Sequence, residues 1–146
     1  MESEQVEVVL SSYFVNIRVH LTGEELKKNY PDGYYSDMRG NEIRYDSSLP
    51  DNIKIQITGS NNKLIFGSCI AAMNLTIWLG NNGYGVIGDR SEFIATMLYI
   101  LDASMTIGKD CLFSNDVCIR TSDGHHIFDL NTHKRINYAR DIVIGN

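Results

Sequence analysis

The feature that most constrains the fold is a six-residue apolar period: Ile107, Phe113 and Ile119 recur at intervals of six. Each is preceded two positions earlier by a small or apolar residue, Met105, Cys111 or Val117, while polar residues fill the other slots. An amphipathic helix needs an apolar period near 3.6 and a half-buried strand a period of 2, so neither explains the pattern. A coil of short strands does. Each hexad supplies one strand and one corner, and successive coils stack their aliphatic side chains into a buried ladder.

From Ile53 onward the chain keeps to this style, with short apolar runs between Gly/Asn turns. Ile53, Ile55 and Ile57 alternate, Gly59-Ser60-Asn61-Asn62 turns, and Leu64 to Gly67 begins again; Leu75 to Gly80, Val86 to Gly88 and Phe93 to Ala95 follow. Such dense punctuation suits a solenoid whose corners need tight or left-handed backbone. Ile87 to Phe93 and Leu101 to Ile107 are six apart, but the register slips between the pairs, so the early coils are expected to be irregular. A sandwich of ordinary strands stays open as an alternative for residues 53–101, because short strands with Gly turns serve both folds. Trp78 reads as core or a packed edge.

Ahead of Ile53 the reading is β-rich with one short helix. Tyr13, Val15, Ile17 and Val19 alternate with polar residues, which predicts β structure over Val6 to Leu21. Thr22 is placed to cap a helix through Lys28, with Glu25 at the capping-box position and acidic residues ahead of basic ones. Pro31-Asp32-Gly33 closes it as a turn. Tyr34 to Ser48 is polar and tyrosine-bearing, with a short strand at Glu42 to Tyr45 and no evident role. The expected organisation is all-β: residues 1–52 as a β-rich N-terminal region with one short helix, and residues 53–146 as a parallel β-helix.

Composition excludes several classes of function. Thirteen basic residues against 18 acidic ones give a net charge of −5 with no Lys/Arg cluster, which argues against nucleic-acid binding through a basic face. No apolar run is long enough to span a bilayer, and the acidic start MESEQVEVV is unlike a secretory signal, so the expected location is cytoplasmic. Cys69, Cys111 and Cys118 form an odd set without a C-x-x-C pair. Buried, reduced thiols are the expectation rather than a disulfide framework or a zinc knuckle.

Four segments carry a resemblance: Ile107-Gly108-Lys109-Asp110-Cys111, Ile119-Arg120-Thr121-Ser122-Asp123-Gly124-His125, Arg135-Ile136-Asn137 and Asp141-Ile142-Val143-Ile144-Gly145-Asn146. In order and spacing they resemble the catalytic segment of the hexapeptide-repeat acyltransferases, nearest the O-acetyltransferases of bacterial surface polysaccharides. The resemblance implies a left-handed parallel β-helix, acetyl-CoA as donor without a metal, a saccharide hydroxyl as acceptor, and a homotrimer in the complete protein. Members of that family continue through further coils beyond the position of Asn146, so the chain is expected to be incomplete at its C-terminus and the CoA site to lie outside it.

A hydroxyl must lose its proton as it attacks a thioester, and imidazole, which titrates near neutrality, is the usual base. By resemblance that base is His125, which closes the Asp123-Gly124-His125 turn. Asp123 would orient the ring or hold the acceptor, and His126 would line the acceptor pocket. Asp102 and Asn115 are further candidates near the acceptor, with ordinary corner positions as their plainer reading. Lys134, Arg135 and Arg140 sit in a loop, Phe128 to Arg140, that interrupts the coil. His125, His126 and His133 lack metal-ligand spacing, so no metal is expected. The alternative function is a non-catalytic β-helix serving as scaffold or glycan-binding module.

Overall fold

A computed structural model describes residues 5–10 and 15–145, with side chains from residue 18 onward. Tyr13 and the acidic residues 1–4 of the sequence reading lie outside the described residues. In chain order the elements are β1 Gln5–Leu10, β2 Val15–Thr22, α1 Gly23–Asn29, β3 Tyr34–Ser36, β4 Glu42–Arg44, β5 Lys54–Ile57, β6 Lys63–Phe66, β7 Ala71–Ala72 and β8 Leu75–Leu79. They continue with β9 Tyr84–Ile87, β10 Glu92–Phe93, β11 Thr96–Ile100, β12 Ser104–Ile107, β13 Leu112–Phe113, β14 Val117–Arg120 and β15 Ile142–Ile144.

These strands form a β-solenoid with three faces. The first face runs β1-β2-β5-β8-β11-β14, the second β3-β4-β6-β9-β12-β15 and the third β7-β10-β13. Every pairing among β5 to β15 is parallel, which rules out the sandwich for residues 53–101. Parallel stacking in fact starts at β4, which pairs with β6 as Glu42↔Lys63. The three hexad residues fall on different faces and point inward: Ile107 on β12 is 1% exposed, Phe113 on β13 is 9% exposed, and Ile119 on β14 is half-buried against the core.

The early coils are regular, contrary to the expected slippage. Successive rungs pair Lys54↔Thr76↔Met97↔Cys118 on the first face and Glu42↔Lys63↔Tyr84↔Ser104 on the second, so each coil takes 20 to 22 residues. Differences in corner length absorb what looked like a slip. The corners between first and second faces are residues 58–62, 80–83 and 101–103, each one residue shorter than the last. Left-handed residues recur at stacked corners: Asn61, Asn82 and Asp102 at one edge and Cys69, Arg90 and Asp110 at another, with φ between 53° and 59°. Asn and Asp tolerate this region because their short polar side chains bond locally; Cys and Arg are unusual there.

The interior is an aliphatic ladder of Ile55, Ile77 and Leu98, with Leu64, Ile87 and Ile107 facing it from the second sheet, each at most 1% exposed. Burying each such side chain contributes about 1.5–3 kcal/mol. Phe93 stacks on Phe113 across the third face, centroids 5.0 Å apart. One polar ladder runs through this core. Asn62, 1% exposed, donates through Nδ2 to Asn41 Oδ1 (2.9 Å) and to the Gly80 carbonyl (2.5 Å), and accepts from Gly83 N–H (2.8 Å).

At the N-terminal end, β2 turns antiparallel onto β5 and leads into α1. Thr22 Oγ1 accepts from Glu25 N–H (3.1 Å), as its capping position predicts. A seven-residue helix is marginal alone. Leu26, fully buried, anchors it. The tyrosine-bearing segment, without a role in the sequence reading, now has one: β3 and β4 form the hairpin that starts the second face, and the Tyr45 hydroxyl donates to the carbonyls of Leu26 (2.9 Å) and Tyr30 (2.6 Å) at the end of α1. Burial pushes the Tyr45 phenol up to about 12.

Two cysteine expectations fail. Cys69 and Cys118 are exposed and only Cys111 is half-buried. Cys118 occupies an outward rung of β14, between the inward Val117 and Ile119, and Cys69 sits at a left-handed corner; a hexad slot does not by itself say which way a side chain points.

Candidate functional site

At the fourth corner between the first and second faces, residues 121–141 replace the three to five residues used in earlier coils. Both ends of this insertion are tied down. Thr121 Oγ1 accepts from Leu101 N–H (2.8 Å) and donates to the Leu101 carbonyl (2.8 Å), and the Thr121 carbonyl accepts from Arg140 N–H (2.9 Å). Asp141 Oδ1 accepts from Ser104 N–H (2.8 Å), a bond that holds its carboxyl below the usual range and fixes the return into β15. β15 pairs in parallel with β12 and continues on the second face the coil that β14 begins on the first.

Within the insertion the chain folds back as a small hairpin, bridged at Phe128 and Arg135. Its tip is an Asx turn in which Asp129 Oδ1 accepts from Thr132 N–H (2.7 Å) and Asn131 N–H (2.8 Å); these backbone bonds, led by Thr132, lower the Asp129 carboxyl. Asn137 then clamps the histidine segment. Its Nδ2 donates to the His125 carbonyl (2.7 Å) and to Asp123 Oδ2 (3.0 Å), and its Oδ1 accepts from Ile127 N–H (2.7 Å). Both peptide groups flanking His126 are thereby fixed. Gly124 enters the turn at φ +78°, a conformation glycine adopts without a Cβ penalty, and its N–H donates to Ser122 Oγ (3.1 Å).

Beneath this segment lies a groove of about 160 Å³ lined by Gly80, Asn81, Leu101, Asp102, Ser122, Gly124, His126 and Arg135. Asp102 and His126, both singled out in the sequence, therefore meet at one site. Asp123, which accepts from Asn137, and the exposed His125 are each next in sequence to lining residues but do not themselves line the groove. Asn115 is elsewhere, exposed in the corner ahead of β14, whereas the groove opens beyond the other end of that strand. His133 sits in the hairpin, left-handed at φ 56°. Among the described residues no three His, Cys, Asp or Glu side chains group as metal ligands, and no helix is long and apolar enough to cross a membrane.

Sequence reasoning missed the two residues that build the site's frame, Thr121 and Asn137, because a Thr after a strand and an Asn in a loop carry no local signal of their partners. It also missed Ser122 and Asn81, whose place in the groove follows from stacking across coils. Asn137 does fall within the Arg135-Ile136-Asn137 segment of the resemblance.

No protein-family model matches the sequence. The chain is similar to two polysialic acid O-acetyltransferases. It is 45% identical over 62 residues to that of Escherichia coli O1:K1 / APEC, covering 42% of this chain and 20% of the relative. It is 28% identical over 123 residues to that of Neisseria meningitidis, covering 68% of this chain and 57% of the relative. Among solved structures, the crystal structure of the polySia-specific acetyltransferase NeuO is similar at a TM-score of 0.44 and 33% identity, over 63% of this chain and 50% of that one. The chain thus spans a fifth of one curated relative and little more than half of the other. By sequence and by its hexad-built β-solenoid, it is a relative of the hexapeptide-repeat polysaccharide O-acetyltransferases.

Proposed function

We propose that the protein to which this chain belongs transfers an acetyl group from acetyl-CoA to a hydroxyl of an acidic polysaccharide, with His125 as general base. The observation that carries this reading is the insertion of residues 121–141, whose neck and Asn137 clamp hold the Asp-Gly-His-His turn over a polar groove at a solenoid corner. Its support from outside the chain is the printed activity of the two relatives.

In this mechanism His125 takes the proton of the acceptor hydroxyl as its oxygen attacks the thioester carbonyl. The C–O bond forms, the C–S bond breaks, and the departing thiolate recovers the proton from the imidazolium. Asp102, Ser122 and His126, which line the groove, serve as acceptor contacts, and Asp123 beside Ser122 assists them. The donor binds along coils beyond β15, and the working assembly is a trimer in the cytoplasm.

Acetyl transfer assayed with acetyl-CoA and a sialic acid oligosaccharide, on this chain and on a longer version, tests the proposal. His125→Ala should lower kcat by about two to four orders of magnitude, with little change in donor KM, whereas His126→Ala should do much less. A dead His126→Ala beside a near-normal His125→Ala would transfer the role to the groove-lining imidazole. Near-normal turnover in both would remove base catalysis by this turn.

A further inference from the structure

The corner groove is small for a ligand longer than one sugar. At about 160 Å³ it falls below the roughly 300–1,000 Å³ of a ligand pocket, so it admits one ring of a glycan and leaves the neighbouring ring on its rim. One wall of that rim is the solenoid corner, where the exposed Asn81 and Asp102 are polar. The other is the hairpin of the insertion, and its groove side is aromatic. His126 and Arg135 line the groove; Phe128 is two residues from His126 and the bridge partner of Arg135, which places all three side chains on one side of the hairpin. The rings of His126 and Phe128 meet edge to face with centroids 6.1 Å apart, and the Arg135 guanidinium lies over the Tyr138 ring, 5.1 Å from its centroid.

Phe128 is nevertheless 54% exposed and Tyr138 61%. The hairpin backbone is fixed without them, by Asp129 at the tip and Asn137 at the neck. Large apolar rings left in water beside a polar groove mark a contact surface. A sugar ring suits walls of these two kinds, because hydroxyls around its edge bond to polar side chains while the C–H groups of its face lie against the negative π-face of an aromatic ring. A wholly apolar partner would strip water from Asn81 and Asp102 and return nothing for it. Position argues against the donor as the occupant. The groove lies between the insertion and the corners of the two preceding coils, Gly80-Asn81 and Leu101-Asp102, whereas the donor is placed on coils beyond β15.

We infer that Phe128 and Tyr138 form a second sugar subsite, a stacking platform for the unit next to the one in the groove, with Arg135 linking the two. The inference rests on reading that groove as the acceptor site. It makes the hairpin, rather than the solenoid, the part of the chain that distinguishes an oligosaccharide from a single sugar.

Saturation-transfer NMR, which reads weak binding, tests this on the chain with two probes, a sialic acid trimer and the methyl glycoside of the single sugar. The trimer should bind about tenfold more tightly or better. Phe128→Ala and Tyr138→Ala should each weaken the trimer by about three- to tenfold, the worth of one aromatic contact, and change the glycoside by less than about twofold. Phe128→Trp should keep the trimer affinity, and Phe128→Leu, apolar but not flat, should lose it; a side chain that only props the hairpin would be replaced by either. A trimer that binds no more tightly than the glycoside or not at all, both alanine variants equal to the parent, or a Phe128→Leu variant equal to it would overturn the platform. So would a loss of CoA binding in place of trimer binding, or a change in sedimentation of the variants with trimer affinity intact, which would mark the rings as an interface between copies.

Binding and chemistry fail separately. Trimer binding that depends on Phe128, with no acetyl transfer by the longer version, would sink the catalytic reading and leave the platform standing; transfer whose acceptor KM ignores Phe128→Ala would do the reverse.

Discussion

Replacing Asn62 should show how far the stacked coils depend on one polar side chain. Asn62 is almost completely buried, and its amide serves three partners in neighbouring turns: Asn41 Oδ1, the Gly80 carbonyl and Gly83 N–H. Asn41 Oδ1 would keep a partner in Asn62→Ala, because it also accepts from the Asn62 backbone N–H (3.1 Å). Gly80 and Gly83 would each lose theirs. An orphaned buried group costs about 1–3 kcal/mol, so two give about 2–6, and water admitted to the new space returns part of it; we predict a loss of about 3 kcal/mol. Followed by far-ultraviolet circular dichroism, the urea midpoint should fall by about 1–3 M.

Asn62→Asp sharpens the test, because it keeps the shape and exchanges the donor for a carboxylate facing two acceptor oxygens. Those oxygens favour the protonated acid, so its pKa in the folded state must lie above the value of about 3.9 in the unfolded chain. The sign follows: stability is fully present below the unfolded pKa and lost as pH rises through the folded one. The variant should therefore be closest to the parent near pH 4 and weakest at pH 7. A parent-like midpoint in Asn62→Ala, or an Asn62→Asp variant indifferent to pH, would show that the ladder is not the support described here.

Asn137→Ala should release the peptide groups around His126 and lower kcat in a complete enzyme by about tenfold or more with little change in unfolding midpoint, since lost positioning acts on the barrier rather than the core; equal kcat would refute the clamp. Phe93→Ala, at a fully buried ring stacked on Phe113, should cost about 3–5 kcal/mol by urea unfolding, and a loss below about 1 kcal/mol would contradict the packing of the third face. The Asp129 carboxyl is held below its ordinary value by backbone donors, so its contribution is present above the unfolded pKa and fades as pH falls through the folded one. Hydrogen exchange at the Thr132 and Asn131 amides, corrected for the intrinsic pH effect, should accelerate below about pH 4 and stay unchanged in Asp129→Asn, where the switch is absent.

The sequence alone determined the kind of fold, because an apolar period of six is a local property that each strand and corner states for itself. It likewise determined the cap of α1, since Thr22 and Glu25 lie one helical turn apart, and the turn that carries His125, since Asp123-Gly124 is a local backbone instruction. Which side chains become neighbours was left to the tertiary structure. Residues meet across coils only after the corner lengths have been added together, and those corners shrink from residues 58–62 to 101–103 before opening into 121–141. That accumulated length puts Trp78 beside Tyr99, Asp102 and His126 in one groove, and Asn62 between Asn41 and Gly83; each brings together residues about one coil apart or more, for which no pattern in either segment carries a signal.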